Sequence, residues 1–454
     1  MTRRQYRRIE AQPTITGPLG TPVRLRPPRF DDFAEWRRIR LRDRAIMEPY
    51  WVSSDQDWPD RHTARHWVRE CLDNWAEARA VRRVSMVIEV AGRFAGQVEL
   101  ASIDAAAGSA ELGIWISSAV ARGGIGALAL TMMADFGFDS LGLMRITAPI
   151  APGNIAAAKA AATAGLRYEA RMTAYFDAGG ARRDHELWAV TRPDRPDRGF
   201  TAVYLARQRI HPTTTQLPAA PAVPHGPPRV SIAAARLRYQ LSRLRRVFRW
   251  LRGSAAVALS DSDDRAGVLV RSRRVSDFRQ RRAARIRNRA TLARDPHMSP
   301  AAWLRRHSLR YWLAELAEAR AGLRSGPGLT LAILDDGRFV GEARLHGLDM
   351  FDRNIRLSVW TDASARPETR ASVLRLLVRH ATERLEILRV AIAIPVSDVA
   401  AAAAVAAAGF AEEGRMRGHL DVFGPRGDHD LWAYSHPART AAPDDAPVRG
   451  EPVP

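Results

Sequence analysis

Ala121-Arg122-Gly123-Gly124-Ile125-Gly126-Ala127 joins a strand-like run at 110–117 to an apolar stretch that continues to about Phe138. Three glycines in so short a stretch let the main chain bend and come close to a ligand. The helix behind them offers unpaired N–H groups and the positive end of its dipole, the usual seat of a phosphate. Asn154 opens the next helix about thirty residues further on. A tight connection without a ligand would use the same glycines, so the surroundings decide.

Working outward, alternation and turn residues predict strands at 23–26, 84–90, 93–103, 110–117 and 145–150. Helices are predicted at 30–41, 61–78, from the glycine loop to 138, and at 154–164. A hairpin of 166–176 and 185–190 turns about Ala178-Gly179-Gly180. Strands first and crossover helices later make a mixed α/β order, an α+β arrangement on a mixed sheet. On the helix at 61–78, Trp67, Val68, Cys71, Leu72 and Trp75 share one face.

The chain then repeats itself. Gly92-Arg93-Phe94-Ala95-Gly96 returns as Gly337-Arg338-Phe339-Val340-Gly341, and Trp58 and Trp67 return as Trp303 and Trp312, at an offset of 245. After one deletion near residue 367 the offset is 244, as in Arg145/Arg389, Gly165/Gly409 and Asp184-His185-Glu186-Leu187-Trp188/Asp428-His429-Asp430-Leu431-Trp432. A constant offset over so long a span implies duplication of a whole domain, not a short solenoid repeat. What both copies keep serves the fold; what one copy keeps is a candidate for function. The expected organisation is a basic tail (1–20), a first domain (21–192), a linker (193–262), a second domain (263–437) and a disordered tail (438–454).

Composition narrows the classes. Apolar residues make up 46% of the 454, as in ordinary globular proteins, and no apolar run approaches a membrane span. Met1-Thr2-Arg3-Arg4 has no apolar stretch behind it, so no secretory signal is expected. Cys71 is the only cysteine, which excludes an internal disulfide and a cysteine metal site and fits a reducing cytoplasm. The net charge of +21 is almost all arginine, with Lys159 the only lysine. That bias suits a GC-rich genome and weakens any inference from arginine to nucleic acid. Residues 198–260 hold eleven arginines and no acid. Within them, Val230, Ala234, Leu237, Leu241, Leu244, Phe248 and Leu251 form one apolar stripe along a helix at 229–252. Packing on a domain, lying on an anionic membrane surface and binding RNA are all open to such a helix.

The glycine loop resembles the acetyl-CoA pyrophosphate loop of the GNAT acyltransferase superfamily, Gln/Arg-x-x-Gly-x-Gly/Ala. Gly124 and Gly126 match its glycines; Ala121 stands at the first position, with Arg122 displaced by one. The stretch from Asn154-Ile155-Ala156-Ala157 to Gly165-Leu166 is similar to the family's next helix. Arg42-Asp43-Arg44 through Glu48-Pro49-Tyr50-Trp51, and Ala110-Glu111-Leu112-Gly113-Ile114-Trp115, resemble the RimJ/RimL-like branch, whose members acetylate N-terminal amines of ribosomal proteins. The resemblance implies acetyl-CoA as co-substrate and no metal. Its expected contacts are Trp115, Ile116, Ala121, Arg122, Gly123, Gly124, Ile125, Gly126, Ala127 and Asn154. It also implies two tandem GNAT-like domains joined by a Pro-rich linker and a basic amphipathic helix. In the second copy the loop reads Ala365-Arg366-Pro367-Glu368-Thr369-Arg370, without glycine and with an acid where pyrophosphate would sit, so this copy is expected not to bind CoA.

Acetyl transfer needs a group to take the amine proton. Glu99 and Glu111 lie on adjacent strands, and their counterparts are Arg344 and Arg356. Loss of both in the copy that lost its loop is the pattern of a catalytic or substrate-binding pair; drifting surface charges would give it too. The family's Tyr acid is absent, since position 161 is Ala, and Tyr175, matched by His419, is the substitute. Glu48, Tyr50 and Trp51, replaced by Ala293, Asp295 and Pro296, are candidates for an aromatic acceptor slot. His185 persists as His429 and is read as structural; Cys71 is read as a buried thiol. The expected function is acetylation of a primary amine, most simply a protein N-terminus, in the cytoplasm, with the second copy non-catalytic. The alternatives are a small-molecule, sugar- or lipid-linked amine at the inner membrane surface, or a scaffold without turnover. An intramolecular pseudo-dimer with a shared groove is left open.

Overall fold

A computed structural model describes residues 13–121, 123–178, 181–208, 226–227, 229–230, 232–239, 257–260, 267–295, 297–325, 328–349 and 353–436. The N-terminal half runs β1 (Ile15–Thr16), β2 (Pro22–Arg26), α1 (Phe33–Arg42), α2 (Ala64–Arg79), β3 (Val84–Val90), β4 (Arg93–Asp104), β5 (Ser109–Ile116), α3 (Ile125–Asp135), β6 (Arg145–Ile150), α4 (Ile155–Thr163), β7 (Arg167–Ala178), β8 (Ala181–Thr191) and α5 (Phe200–Arg207). All seven residues of β3 are buried, Glu89 among them because it pairs with Arg26 at 2.5 Å and Arg24 at 2.6 Å. Beyond it, α3 is buried along nearly its whole length, and its last turn widens into a π-helix at Phe136–Ser140. Asn154 caps α4 by accepting from the Ala157 N–H at 3.1 Å.

The same strand order follows in the C-terminal half: β9 (Ala258–Ser260), β10 (Val268–Ser272), α6 (Phe278–Arg287), α7 (Pro300–Arg306), α8 (Leu309–Ser325), β11 (Gly328–Asp335), β12 (Arg338–Asp349), β13 (Asn354–Thr361), α9 (Thr369–Arg384), β14 (Arg389–Pro395), α10 (Val399–Ala407), β15 (Ala411–His419) and β16 (Gly427–Ser435). All sixteen strands join one sheet, in the order β1-β2-β3-β4-β5-β6-β8-β7-β15-β16-β14-β13-β12-β11-β10-β9. The order reads the same from either end once each strand is exchanged for its counterpart. At the centre Gly414 pairs with Ala170, its own counterpart. A Cβ at 414 would fall 2.7 Å from Ala170, and φ there is +151°, so this crossing requires glycine.

Two buried ion pairs clamp the crossing. Arg145 meets Glu169 at 2.5 Å and donates to the Arg417 carbonyl, while Glu169 accepts from the Arg417 N–H at 3.1 Å. In mirror fashion Arg389 pairs with Glu413 and donates to the Thr173 carbonyl at 3.1 Å, and Glu413 accepts from the Thr173 N–H at 2.7 Å. Both pairs are almost fully shielded. Their remaining hydrogen-bonding capacity is met by the opposite half's main chain, which is what makes a buried pair tolerable. Ala170, Met172, Leu187, Ala391, Met416 and Leu431 add a small apolar core across the same line.

Other kept positions serve each half separately. Arg26 holds Asp32 at 2.6 Å and Arg271 holds Asp277 at 2.7 Å, each acid also accepting a main-chain N–H three residues back. His62 stacks on Trp58 at 4.4 Å and donates from Nδ1 to the Trp58 carbonyl; His307 repeats this on Trp303. Burial pushes both histidines down to about 4. Their unfolded value is higher, about 6.5, so the unfolded chain takes up protons first and stability falls as pH drops from about 6.5 toward 4. Thermal melts at pH 5 should show a lower Tm than at pH 7, and His62→Gln with His307→Gln should flatten that difference; an unchanged slope would contradict it.

Several expectations are corrected. The segment at 193–262, read as a linker, contains α5, which starts at Phe200 after two prolines and buries Phe200, Tyr204 and Leu205 against α3. Asp135 caps it, accepting from the Phe200 and Thr201 N–H groups at 2.8 and 2.9 Å. The C-terminal half begins at β9, ahead of residue 263. A helical turn, Ser118–Ala121, precedes the glycine loop. Of the helix expected at 229–252, residues 240–252 and 231 lie outside the described residues. In the rest, Ala235 is buried while Val230, Ala234 and Leu237 of the expected apolar stripe are exposed. Arg236 lies over the Phe30 ring at 5.3 Å. Gly179, Gly180 and both tails (1–12, 437–454) also lie outside the described residues.

Candidate active site

β5 and β6 run parallel and pair only at Ser109↔Arg145, Ala110↔Ile146 and Glu111↔Thr147. Past Glu111 they part, while β5 continues against β4 as far as Ile116↔Gly96. Alternate N–H groups of Leu112–Ile116 therefore face a gap with no strand partner. The glycine loop and the N-terminus of α3 stand at the end of this gap. Gly124 takes the left-handed conformation (φ +74°) that starts the helix abruptly. The first N–H groups of α3 have no intrahelical acceptor. A Cβ on Gly126 would meet only Ile116, at 3.9 Å, so the loop is open to a ligand there. Arg122 lies outside the described residues, and Ala121 is exposed at the end of the preceding turn.

Tyr204 was not found from the sequence. Its hydroxyl donates to the Gly124 carbonyl at 2.8 Å and occupies the space a Cβ at 124 would need. It fixes the peptide that aims the loop. Tyr204→Phe should raise the KM for a co-substrate held at the loop roughly threefold to tenfold, the worth of one hydrogen bond, with kcat unchanged. An unmoved KM would contradict this role.

On the other face of the sheet, Gln97, Glu99, Glu111, Gly113 and Trp115 point the same way by strand alternation. They line a groove of about 1360 Å³ that crosses into the C-terminal half. Glu99 lies over Gly113, whose missing side chain leaves its carboxylate beside the β5 main chain. Arg83 holds it at 3.1 Å. Burial raises the Glu99 pKa above its ordinary value; Arg83 opposes this, Glu70 adds to it and Arg40 opposes it. Tyr175 donates to Glu111 across a long 3.5 Å contact, so the structure brings these two candidates together. His185 lies behind them, buried, stacked against Tyr175 at 5.7 Å and depressed in pKa by burial.

The acceptor-slot candidates separate. Trp51 and Tyr50 line the groove. Tyr50 donates to the Gly153 carbonyl at 3.1 Å, bridging to the turn before α4. Glu48 instead turns outward to Arg44 at 2.6 Å and does not line the groove. The Trp115 side chain also points away from the β5–β6 gap, donating to Gln97 at 2.9 Å, so only its main chain can meet a ligand in the gap. Cys71 is fully buried, and burial pushes its thiol up, away from nucleophilic chemistry.

Arg40 was missed. Its guanidinium is sandwiched between Trp51 and Trp115, 3.8 and 3.9 Å from the ring centroids. It is 3% exposed, and Nε and Nη1 have no hydrogen-bond partner. Burial lowers its pKa to about 9, against the charges of Glu70 and Glu99. The counterpart, Arg285, pairs with Glu342, which occupies the position of Gln97. The N-terminal half thus has an uncharged Gln97 where the other half has its counter-ion, and Arg40 stands as a cation on the groove floor.

The equivalent loop of the C-terminal half is tied shut. Arg366 and Thr369 bind Asp335. Arg370, at the position of Gly126, reaches Asp398 at 3.3 Å and Thr361 at 3.3 Å. Asp398 stands at the position of Asn154 and caps α10 in the same way.

Residues 23–167 match the sequence profile of the acetyltransferase (GNAT) domain. A solved structure, RimJ of Mycobacterium smegmatis in complex with CoA-disulfide, is 36% identical, over 94% of its chain and 43% of this one, with a TM-score of 0.41. The chain belongs to the GNAT acetyltransferase family. A curated relative, the putative ribosomal N-acetyltransferase YdaF of Bacillus subtilis (strain 168), is 34% identical over 109 residues. That match spans 58% of YdaF, little more than half its length, and 24% of this chain. Within this GNAT chain, no described helix is long and apolar enough to cross a membrane. No group of three or more described His, Cys, Asp or Glu side chains is placed to hold a metal ion.

Proposed function

We propose that the N-terminal half transfers the acetyl group of acetyl-CoA to a protein N-terminal amine, and that the C-terminal half does not turn over. One observation carries this reading. The unpaired stretch of β5 has an open helix N-terminus at its end and a raised-pKa carboxylate on its groove face. The loop residues Gly123–Ala127 and the start of α3 would hold the pyrophosphate, with Asn154 at the side of the gap; acetyl-CoA supplies the activated thioester carbonyl.

The chain's own groups then have distinct tasks. Glu99 takes the proton of the incoming ammonium, leaving a neutral amine. As the C–N bond forms, the carbonyl oxygen gains charge, and free N–H groups along Leu112–Ile116 face it. As the C–S bond breaks, the sulfur leaves as thiolate or takes a proton; Tyr175, held by Glu111, is the nearest candidate donor on the groove face. Arg40, Trp51 and Tyr50 wall the acceptor approach. In the C-terminal half the proline at 367, the acid at 368 and the Arg370–Asp398 bridge oppose a pyrophosphate and a pantetheine chain.

The test is acetyl-CoA turnover against a panel of N-terminal peptides and small primary amines. Turnover with peptides is expected. Turnover with small amines alone, or with none, would contradict the protein-amine reading. The curated relative is named a putative ribosomal N-acetyltransferase, which supports a ribosomal protein as acceptor.

A further inference from the structure

Resting on that reading, we infer that the C-terminal half supplies an anion-binding subsite to the N-terminal active site, so that the preferred acceptor is a protein N-terminus followed by acidic residues. The groove holding Glu99 and Glu111 continues without a break to Arg294, Arg344 and Arg356 of the other half. Arg344 stands where the first half has Glu99, and Arg356 where it has Glu111. The register is the same: Arg344 faces Ser358 across β12 and β13 as Glu99 faces Gly113 across β4 and β5. The two ends of one groove thus carry opposite charge at matching places.

Among the described residues none of these three arginines forms an ion pair within 4 Å. Arg294 gives one hydrogen bond, from Nε to the Val422 carbonyl at 3.3 Å. The acids nearest the cluster are otherwise engaged. Asp421 is buried and accepts from Ser358 Oγ at 2.6 Å, and Asp104 of the first half accepts the Ala106 and Ala107 N–H groups. His346, between the arginines, bonds Ser358 Oγ through Nε2 at 2.9 Å. Burial and the three neighbouring guanidinium charges hold it neutral, down to about 3. It supplies a polar floor without a counter-charge.

The size of the groove selects among anionic acceptors. At about 1360 Å³ it exceeds the roughly 300–1,000 Å³ of ordinary small-molecule sites. A peptide can place its amine at Glu99 and its acidic side chains across the line between the halves. Arginines without an ion pair among the described residues favour carboxylates without a desolvated ion pair having to be broken first.

The experiment compares two peptides with the same N-terminal residue, one acidic at positions 2–6 and one carrying the corresponding amides, on the intact chain. The acidic peptide should show a KM at least about tenfold lower, and the difference should shrink above roughly 0.1 M salt. The double variant Arg344→Gln with Arg356→Gln should abolish the preference while leaving the KM for the amide peptide and for acetyl-CoA unchanged. Equal KM values in the wild type, or a preference that survives in the variant, would overturn the inference alone. Better use of a small phosphorylated amine than of either peptide would overturn the peptide assignment. Failure to acetylate any amine, with acetyl-CoA still bound, would take down the underlying reading as well.

Discussion

Glu99→Gln should lower kcat/KM for the acceptor by about 10²–10³ at neutral pH, within the range a positioned general base supplies. The carboxylate sits in the groove, beside β5 and opposite Gly113, and its pKa is raised chiefly by burial. A base works only when deprotonated, so activity should fall on the acid side of a pKa lying above the ordinary carboxylate value of about 4.3. In the variant that acid limb should vanish along with the rate. Stability should not follow. A folded-state pKa raised above the unfolded value means that the charged form opposes folding at neutral pH, so removing the charge should leave Tm equal or higher. A near-wild-type rate would assign the proton to water, and a large fall in Tm would make Glu99 structural.

Gly126→Arg should abolish acetyl-CoA binding, weakening it by at least about 10³. The substitution copies what the C-terminal half carries at this place, where Arg370 reaches across to Asp398 and Thr361. In the N-terminal half a side chain at 126 would project into the space that now meets only Ile116. No buried apolar contact is lost, so the fold should persist, with an unchanged circular dichroism spectrum and melt. Wild-type affinity in this variant would move the cofactor away from the loop altogether.

Much of the candidate site was legible in the chain because the internal repeat supplied its own control. The constant offset isolated the glycine loop, Glu99 and Glu111 as features of one half; that both acids share a face came only with the register of β4 on β5. What could not be read depended on distant contacts. Arg40 gains its meaning from Trp51 and Trp115, which meet only after α1 packs on the sheet, and from Gln97 standing where Glu342 stands in the other half. Tyr204 follows prolines that suggested a linker, though the spacing of Phe200, Tyr204 and Leu205 was a short apolar face in plain view. Glu48 could have been read correctly: Arg44 lies four residues earlier, the separation at which a helical turn pairs opposite charges. The crossing at Ala170 and Gly414 had no local signal, since a glycine there reads as an ordinary bulge until its partner strand is known.

We propose an asymmetric pair, in which one half holds acetyl-CoA and the other is tied shut at the same loop. Isothermal titration of the intact chain with acetyl-CoA tests it most directly. One site per chain is expected, and none in Gly126→Arg. Two sites per chain, or a single site that survives that substitution, would contradict it.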